Sequence, residues 1–169
     1  CNNNDCKQHG QVEYLDNQKP VLINFEKSIF LKTDLLNSGG RSKLKRNLLN
    51  YLPFKFIKRI LNGSNNKTKI KFSKIIKKLS SNSDPKILII GGGSVGVGVD
   101  LFYNKFKNNI VSFDVYDTDY VDFIGDANHT PFEDNSFDFV LIQAVLEHVE
   151  NPNKVVSEIY RILNDQGLV

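Results

Sequence analysis

The stretch Ile87 to Asp100, ILIIGGGSVGVGVD, constrains the fold of this chain more than any other. Four apolar residues stop at Gly91, Gly92 and Gly93, and Gly96 and Gly98 follow at once. An apolar run without charge on either face suits a central strand of a parallel sheet. Gly91, Gly93 and Gly96 form G-x-G-x-x-G after a strand and before a helix. In that context the backbone must turn tightly and let a ligand approach closely. The reading is a strand over Lys86–Ile90 and a helix from about Ser94 to Phe106.

Asp114 sharpens the reading. It closes the next strand-type run, NIVSFDV, and lies 18 residues after Gly96. A carboxylate there can accept hydrogen bonds from both hydroxyls of a ribose. The glycines and Asp114 therefore specify an adenosine-bearing ligand. They leave a nicotinamide dinucleotide and S-adenosylmethionine both open, beside the plain alternative of a tight strand-to-helix turn with no ligand.

The remaining pattern sets the fold class. VDFIGD reads as a third strand and FDFVLIQ as a fourth. NPNKVVSEIYRILND reads as a helix capped by Asn151, with Pro152 in its first turn and Gly167 ending it. A fifth strand begins at Leu168. Strands alternating with helices at this spacing specify an α/β fold with a Rossmann-like, doubly wound, mostly parallel sheet.

From Gly125 to Gly167 the sequence resembles the class I S-adenosylmethionine-dependent methyltransferases, in the subfamily labelled type 11. The matching pieces are Gly125-Asp126-Ala127, Pro131-Phe132, Asp134-x-Ser136-Phe137-Asp138, Leu146-Glu147-His148-Val149, Pro152, Glu158, Arg161, Leu163 and Gly167. The resemblance covers residues 85–169. It implies S-adenosylmethionine as cofactor and a methyl acceptor of unspecified class as partner. It also implies roles. Gly91 and Gly93 would pass under the methionine part, Gly96 would belong to the same cofactor-binding loop, and Asp114 would hold the ribose. Asp126 would accept from the adenine amino group beside Ala127, and Gln143 would line the sulfonium side. His148, just past the fourth strand, is the candidate base for an acceptor that must lose a proton. The other reading of His148 is a residue that orders the loop. His129, in a polar loop, reads as solvated.

This sequence departs from the family twice. The acid usual two residues before the first glycine is Ile89 here. The metal-binding Glu-x-x-Glu-His pattern of some relatives begins with Ala144, so no metal is expected. The family's sheet has seven strands, so the resemblance implies that the last two lie outside this sequence. The absence of methionine also points to a piece of a longer protein, expected to be poorly active by itself.

The first half differs in kind. Residues 1–84 hold 17 Lys and Arg against 6 Asp and Glu, and residues 85–169 hold 5 against 13. No acid occurs between Asp34 and Asp84. Such a split points the first half toward an acidic partner: nucleic acid, anionic lipid or the second half itself. Residues 1–30 read as a small β module, with QVEYLD and PVLINF joined by a turn. Residues 31–84 read as a basic helical connector, with Leu44, Leu48, Leu52 and Phe56 on one helical face and IKFSKIIKKL as a second amphipathic helix.

Cys1, Cys6 and His9 are zinc candidates, and the run up to Phe30 resembles the tail of a zinc-ribbon-like module. With only two cysteines a reducing cytoplasm is expected, and no run approaches the length of a membrane span. Two alternatives to a methyltransferase stay open. One is a nicotinamide-dependent oxidoreductase. The other is a degenerate methyltransferase fold that binds RNA or a protein partner.

Overall fold

The computed structural model describes residues 12–41 and 66–169. Cys1, Cys6, His9 and the leucine repeat from Leu44 to Phe56 lie outside the described residues.

The sheet grows outward from Ile87–Ile90, strand β3 of seven. Ile87 and Ile89 face one layer, Leu88 and Ile90 the other, and all four are buried. Alternation with both faces buried is what an uncharged central strand requires. β4 (Ile110–Asp114) pairs with it in parallel on one side and β6 (Phe137–Ile142) on the other. β5 (Phe123–Ile124) continues beyond β4, and β7 (Leu163–Leu168) beyond β6, both parallel. Consecutive strands thus leave β3 in opposite directions. That reversal opens a crevice at the carboxyl ends of β3, β4 and β6, where open α/β sheets bind ligands.

The amino-terminal runs join this same sheet. β1 (Glu13–Tyr14) and β2 (Pro20–Val21) form an antiparallel hairpin, and β2 pairs in parallel with β5, Val21 opposite Ile124. The full order is β1-β2-β5-β4-β3-β6-β7. Lys19 fastens the hairpin, reaching Asp117 Oδ1 at 2.5 Å and donating to the carbonyl of Thr118 at 2.6 Å. A short helix, α1 (Lys32–Asn37), follows and buries Leu35 against Leu15, Val21 and Val121.

Helices cover both faces. α2 (Asn66–Leu79) and α3 (Asp100–Phe106) lie on the face of Ile87 and Ile89. Phe102 sits between Phe72 of α2 and Phe139 of β6, each ring centre 5.1 Å away. α4 (Pro152–Ile162) covers the other face with Val155, Ile159 and Ile162. Asn151 caps it as expected, its side chain accepting from the Lys154 amide at 3.1 Å, with Pro152 in the first turn. A cap of this kind contributes about 1 kcal/mol.

Several boundaries differ from the sequence reading: α2 begins at Asn66 rather than Ile70, β7 at Leu163 rather than Leu168, and two helix limits elsewhere move. The helix expected from Ser94 begins only at Asp100, because Gly98 adopts φ +83°, which a right-handed helix cannot contain. The loop after β3 is longer for that reason. At the other end, Gly167 does not terminate α4. The helix stops at Ile162, Leu163 is extended at φ −77° and ψ 138°, and Gly167 lies inside β7. Pairing of Leu163 with Phe137 decides the point, since a strand position beside β6 buries Leu163 in a ladder that further helix would forgo.

Candidate functional site

A cavity of about 700 Å³ opens at the crevice. This lies within the range of pockets that take cofactor-sized ligands. Its floor is the loop after β3. Gly91 turns at φ +75°, and the Gly91 and Gly92 amides both donate to the carbonyl of Phe113, at 2.9 and 3.0 Å. The loop is thereby tied to the end of β4. A Cβ on Gly91 would stand 2.1 Å from Val145 Cγ2, and one on Gly96 would stand 2.1 Å from Gln143 Oε1. At Gly91 the positive φ also disfavours a side chain, whereas at Gly96 the end of the exposed Gln143 would have to move aside.

Asp114 stands at the carboxyl end of β4. Its Oδ2 accepts from the Gly93 amide at 2.9 Å and its Oδ1 from the Tyr116 amide at 3.2 Å. Each carboxylate oxygen offers two acceptor directions, so one on each remains for a ligand. Gly93 does not itself line the cavity; its place is behind Asp114, which it orients.

Asp126 follows β5 and is 2% exposed. Its Oδ1 accepts from the Asn128 amide at 2.8 Å and from Asn128 Nδ2 at 3.0 Å, and its Oδ2 accepts from Ser28 Oγ. Ser28, Ile29 and Phe30 therefore bring the amino-terminal segment to this wall, and Ile29 and Phe30 line the cavity. Asn128 lines it too. With both of its donors on Asp126, its buried Oδ1 has no partner among the described residues. A buried acceptor left without a partner is costly.

Ala127, Gln143 and His148 complete the wall. Gln143 and Ala144 follow β6, and Ala144 is held at φ +55°, an uncommon conformation for a residue with a side chain. His148 ends a turn of 3-10 helix, Leu146–His148, and is exposed. Gly91, Gly96, Asp114, Asp126, Ala127, Gln143 and His148 thus share one cavity. Among the described residues no cluster of His, Cys, Asp and Glu could hold a metal ion.

Sequence reasoning missed Ser28, Phe30 and Asn128. Ser28 lies 98 residues from Asp126, and no local pattern links them. Asn128 had a signal: an Asp two residues before a polar residue forms a turn closed by its own side chain.

Beside the site, Glu158 of α4 accepts from the amide and hydroxyl of Thr130, at 3.0 and 2.9 Å, and from Arg161 Nε at 3.0 Å. Arg161 also donates to the Phe132 carbonyl at 2.8 Å and to Asp134 at 2.7 Å. Burial pushes the Glu158 carboxyl up, but hydrogen bonds from Arg161 and Thr130 outweigh it and hold the group below its ordinary value. These residues pin the loop that follows Asp126 and position the site without entering it.

His129 is half-buried rather than solvated, because the same loop is drawn onto α4. Its Nε2 meets Lys154 Nζ at 2.5 Å, and its buried Nδ1 has no partner among the described residues. Burial, then the Lys154 charge, lowers its pKa, with Lys27 adding to this and Asp126 and Glu158 opposing it. The folded state thus binds this proton less readily than the unfolded state. The contribution to stability is complete above about pH 6.5, the unfolded value, and is lost as pH falls below it. Melting curves should show that His129→Gln flattens the loss of stability between neutral and mildly acid pH. An unchanged slope would remove His129 as its source.

Part of this chain is similar to known methyltransferases. A family model described as a methyltransferase domain matches residues 94–169. An uncharacterized protein of Methanocaldococcus jannaschii is 32% identical, over 66% of this chain and 51% of its own length. A demethylmenaquinone methyltransferase of Lactobacillus johnsonii is 47% identical, over 27% of this chain and 18% of its own. Among solved structures, the trans-methyltransferase CalH with S-adenosylhomocysteine aligns with TM-score 0.45 and 21% identity, covering 56% of this chain and 34% of that one. A methyltransferase of Aquifex aeolicus aligns with TM-score 0.40 and 16% identity, covering 54% and 57%. The chain spans about half the length of the Methanocaldococcus relative. Residues 94–169 of this chain are thus similar to a methyltransferase domain.

Proposed function

We propose that this chain binds S-adenosylmethionine in the cavity at the carboxyl ends of β3, β4 and β6 and serves methyl transfer to an acceptor. One observation carries the reading. A glycine loop turning at Gly91, a strand-end carboxylate with free acceptor directions and the hydrogen-bonded pair of Asp126 and Asn128 line one cavity. A hydroxylated sugar, an exocyclic amino group and a compact methionine chain would satisfy those three features together.

In this reading Asp114 holds the ribose. Asp126, Ala127 and Asn128 form the adenine side. The loop from Gly91 to Gly96 lies under the methionine part, and Gln143 lines the sulfonium side. The cofactor supplies a methyl group already activated for displacement. The chain's own task is to align it, exclude water and, where the acceptor must lose a proton, provide His148 as base. The acidic composition of residues 85–169 suits a positively charged ligand. The acceptor is anionic in this reading, with RNA as the class that the basic connector favours, and the compartment is the cytoplasm. Among the described residues no helix is long and apolar enough to cross a membrane.

Calorimetry with S-adenosylhomocysteine and NAD, side by side, tests the reading. Micromolar binding of the first without the second is the expected result. Binding of NAD alone would replace it with an oxidoreductase reading, and binding of neither would favour a module that has lost its cofactor.

A further inference from the structure

α2 carries six lysines, Lys67, Lys69, Lys71, Lys74, Lys77 and Lys78, and no acid. All six are exposed. The ion pairs among the described residues involve Lys19, Lys32 and Arg161, and none reaches α2. The acidic second half of the chain therefore does not neutralise this helix. Residues 35–83 contain no carboxylate anywhere, so the neighbouring sequence has none to offer. The row from Lys67 through Lys71 and Lys74 to Lys78 runs along about 16 Å of helix at 1.5 Å per residue.

A basic amphipathic helix can also lie on anionic lipid, but only if its apolar face is free to enter the membrane. Here that face is used. Phe72, Ile75, Ile76 and Leu79 pack into the core with Phe102 and Phe106. What α2 presents to solvent is a shallow depression around Ser73 and the exposed Ile70, rimmed by Lys69, Lys74 and Lys77. Uncompensated charge along a helix whose main apolar face is already buried suits a polyanion that stays in water.

The helix is also well placed. Phe72 lies against Gly98, and the loop residues on either side, Val97 and Val99, line the cofactor cavity. From this we infer that the solvent face of α2 binds the phosphodiester backbone of RNA and holds the strand beside the cavity mouth. That the strand is also the methyl acceptor rests on the methyltransferase reading; the binding face does not.

The test is fluorescence anisotropy of the whole protein with a labelled oligouridylate at several salt concentrations. Three or more phosphate contacts should give a slope of log affinity against log salt of about −2 or steeper, at roughly 0.7 per contact on a single strand. Changing Lys71, Lys74 and Lys78 together to Gln should lower affinity at least about tenfold and flatten the slope by about 2. Changing Lys86, Lys105 and Lys107 to Gln removes the same charge elsewhere and should leave most of the binding. All six positions are exposed, so circular dichroism should be unchanged. Absence of RNA binding, equal loss in both triple variants, or binding to phosphatidylserine vesicles in place of RNA would overturn the inference. S-adenosylhomocysteine binding, measured on the same samples, separates the two readings. RNA binding that persists without it would leave the face standing and remove the acceptor assignment.

Discussion

Asp114→Ala should weaken S-adenosylhomocysteine binding about 100-fold, the largest effect expected of any single change at the site. Two ribose hydroxyls donating to a charged carboxylate would each contribute about 1.5 kcal/mol or more, and about 2.8 kcal/mol together corresponds to 100-fold. The carboxylate also orients the loop through the Gly93 and Tyr116 amides, so part of the loss would be loosened backbone. Asp114→Asn separates the contributions. It keeps one acceptor oxygen and the shape but loses the charge and one acceptor, so its affinity should fall between those of the wild type and the alanine variant. Calorimetric titration of the three proteins decides. An alanine variant with unchanged affinity would remove Asp114 from the cofactor site.

Gly91→Ala should destabilise the fold by roughly 2–5 kcal/mol, read from urea unfolding. A residue with a Cβ at φ +75° costs about 1–2 kcal/mol. The new Cβ would also lie 2.1 Å from Val145 Cγ2, a stiff β-branched side chain, and overpacking of that kind costs about 1–3 kcal/mol more. Against a typical total of about 5–15 kcal/mol this is a large fraction. The double variant Gly91→Ala with Val145→Ala should recover the steric part and leave the backbone part. A single-variant loss below about 1 kcal/mol would mean that the loop relaxes freely and that its geometry is not held by the fold.

The strands around the site were legible because their signals are local. Ile87–Ile90 and Phe137–Ile142 are apolar runs that make sense only as buried strands, and Asn151-Pro152 announces a helix start through its own side chain and ring. The helix expected from Ser94 was misplaced. Glycine permits the helical conformation as well as the left-handed one, and the sequence does not say which Gly98 will adopt. The helix end at Ile162 was likewise decided by a partner strand, with Leu163 pairing to Phe137 across the ladder.

What the sequence by itself determined is the cavity-lining backbone and the chemical groups set on it. Gly91 turns where a side chain would be strained, Asp114 ends its strand, and Asp126 follows the next one, where local pattern puts them. What only the tertiary structure decided is which distant segments close the site. Ser28 reaches Asp126 because β2 pairs with β5, and Phe72 reaches Gly98 because α2 packs over Phe102. Periodicity carries information about a residue's own element. Contacts between elements far apart in sequence depend on the shape of the whole packed core, to which every element contributes.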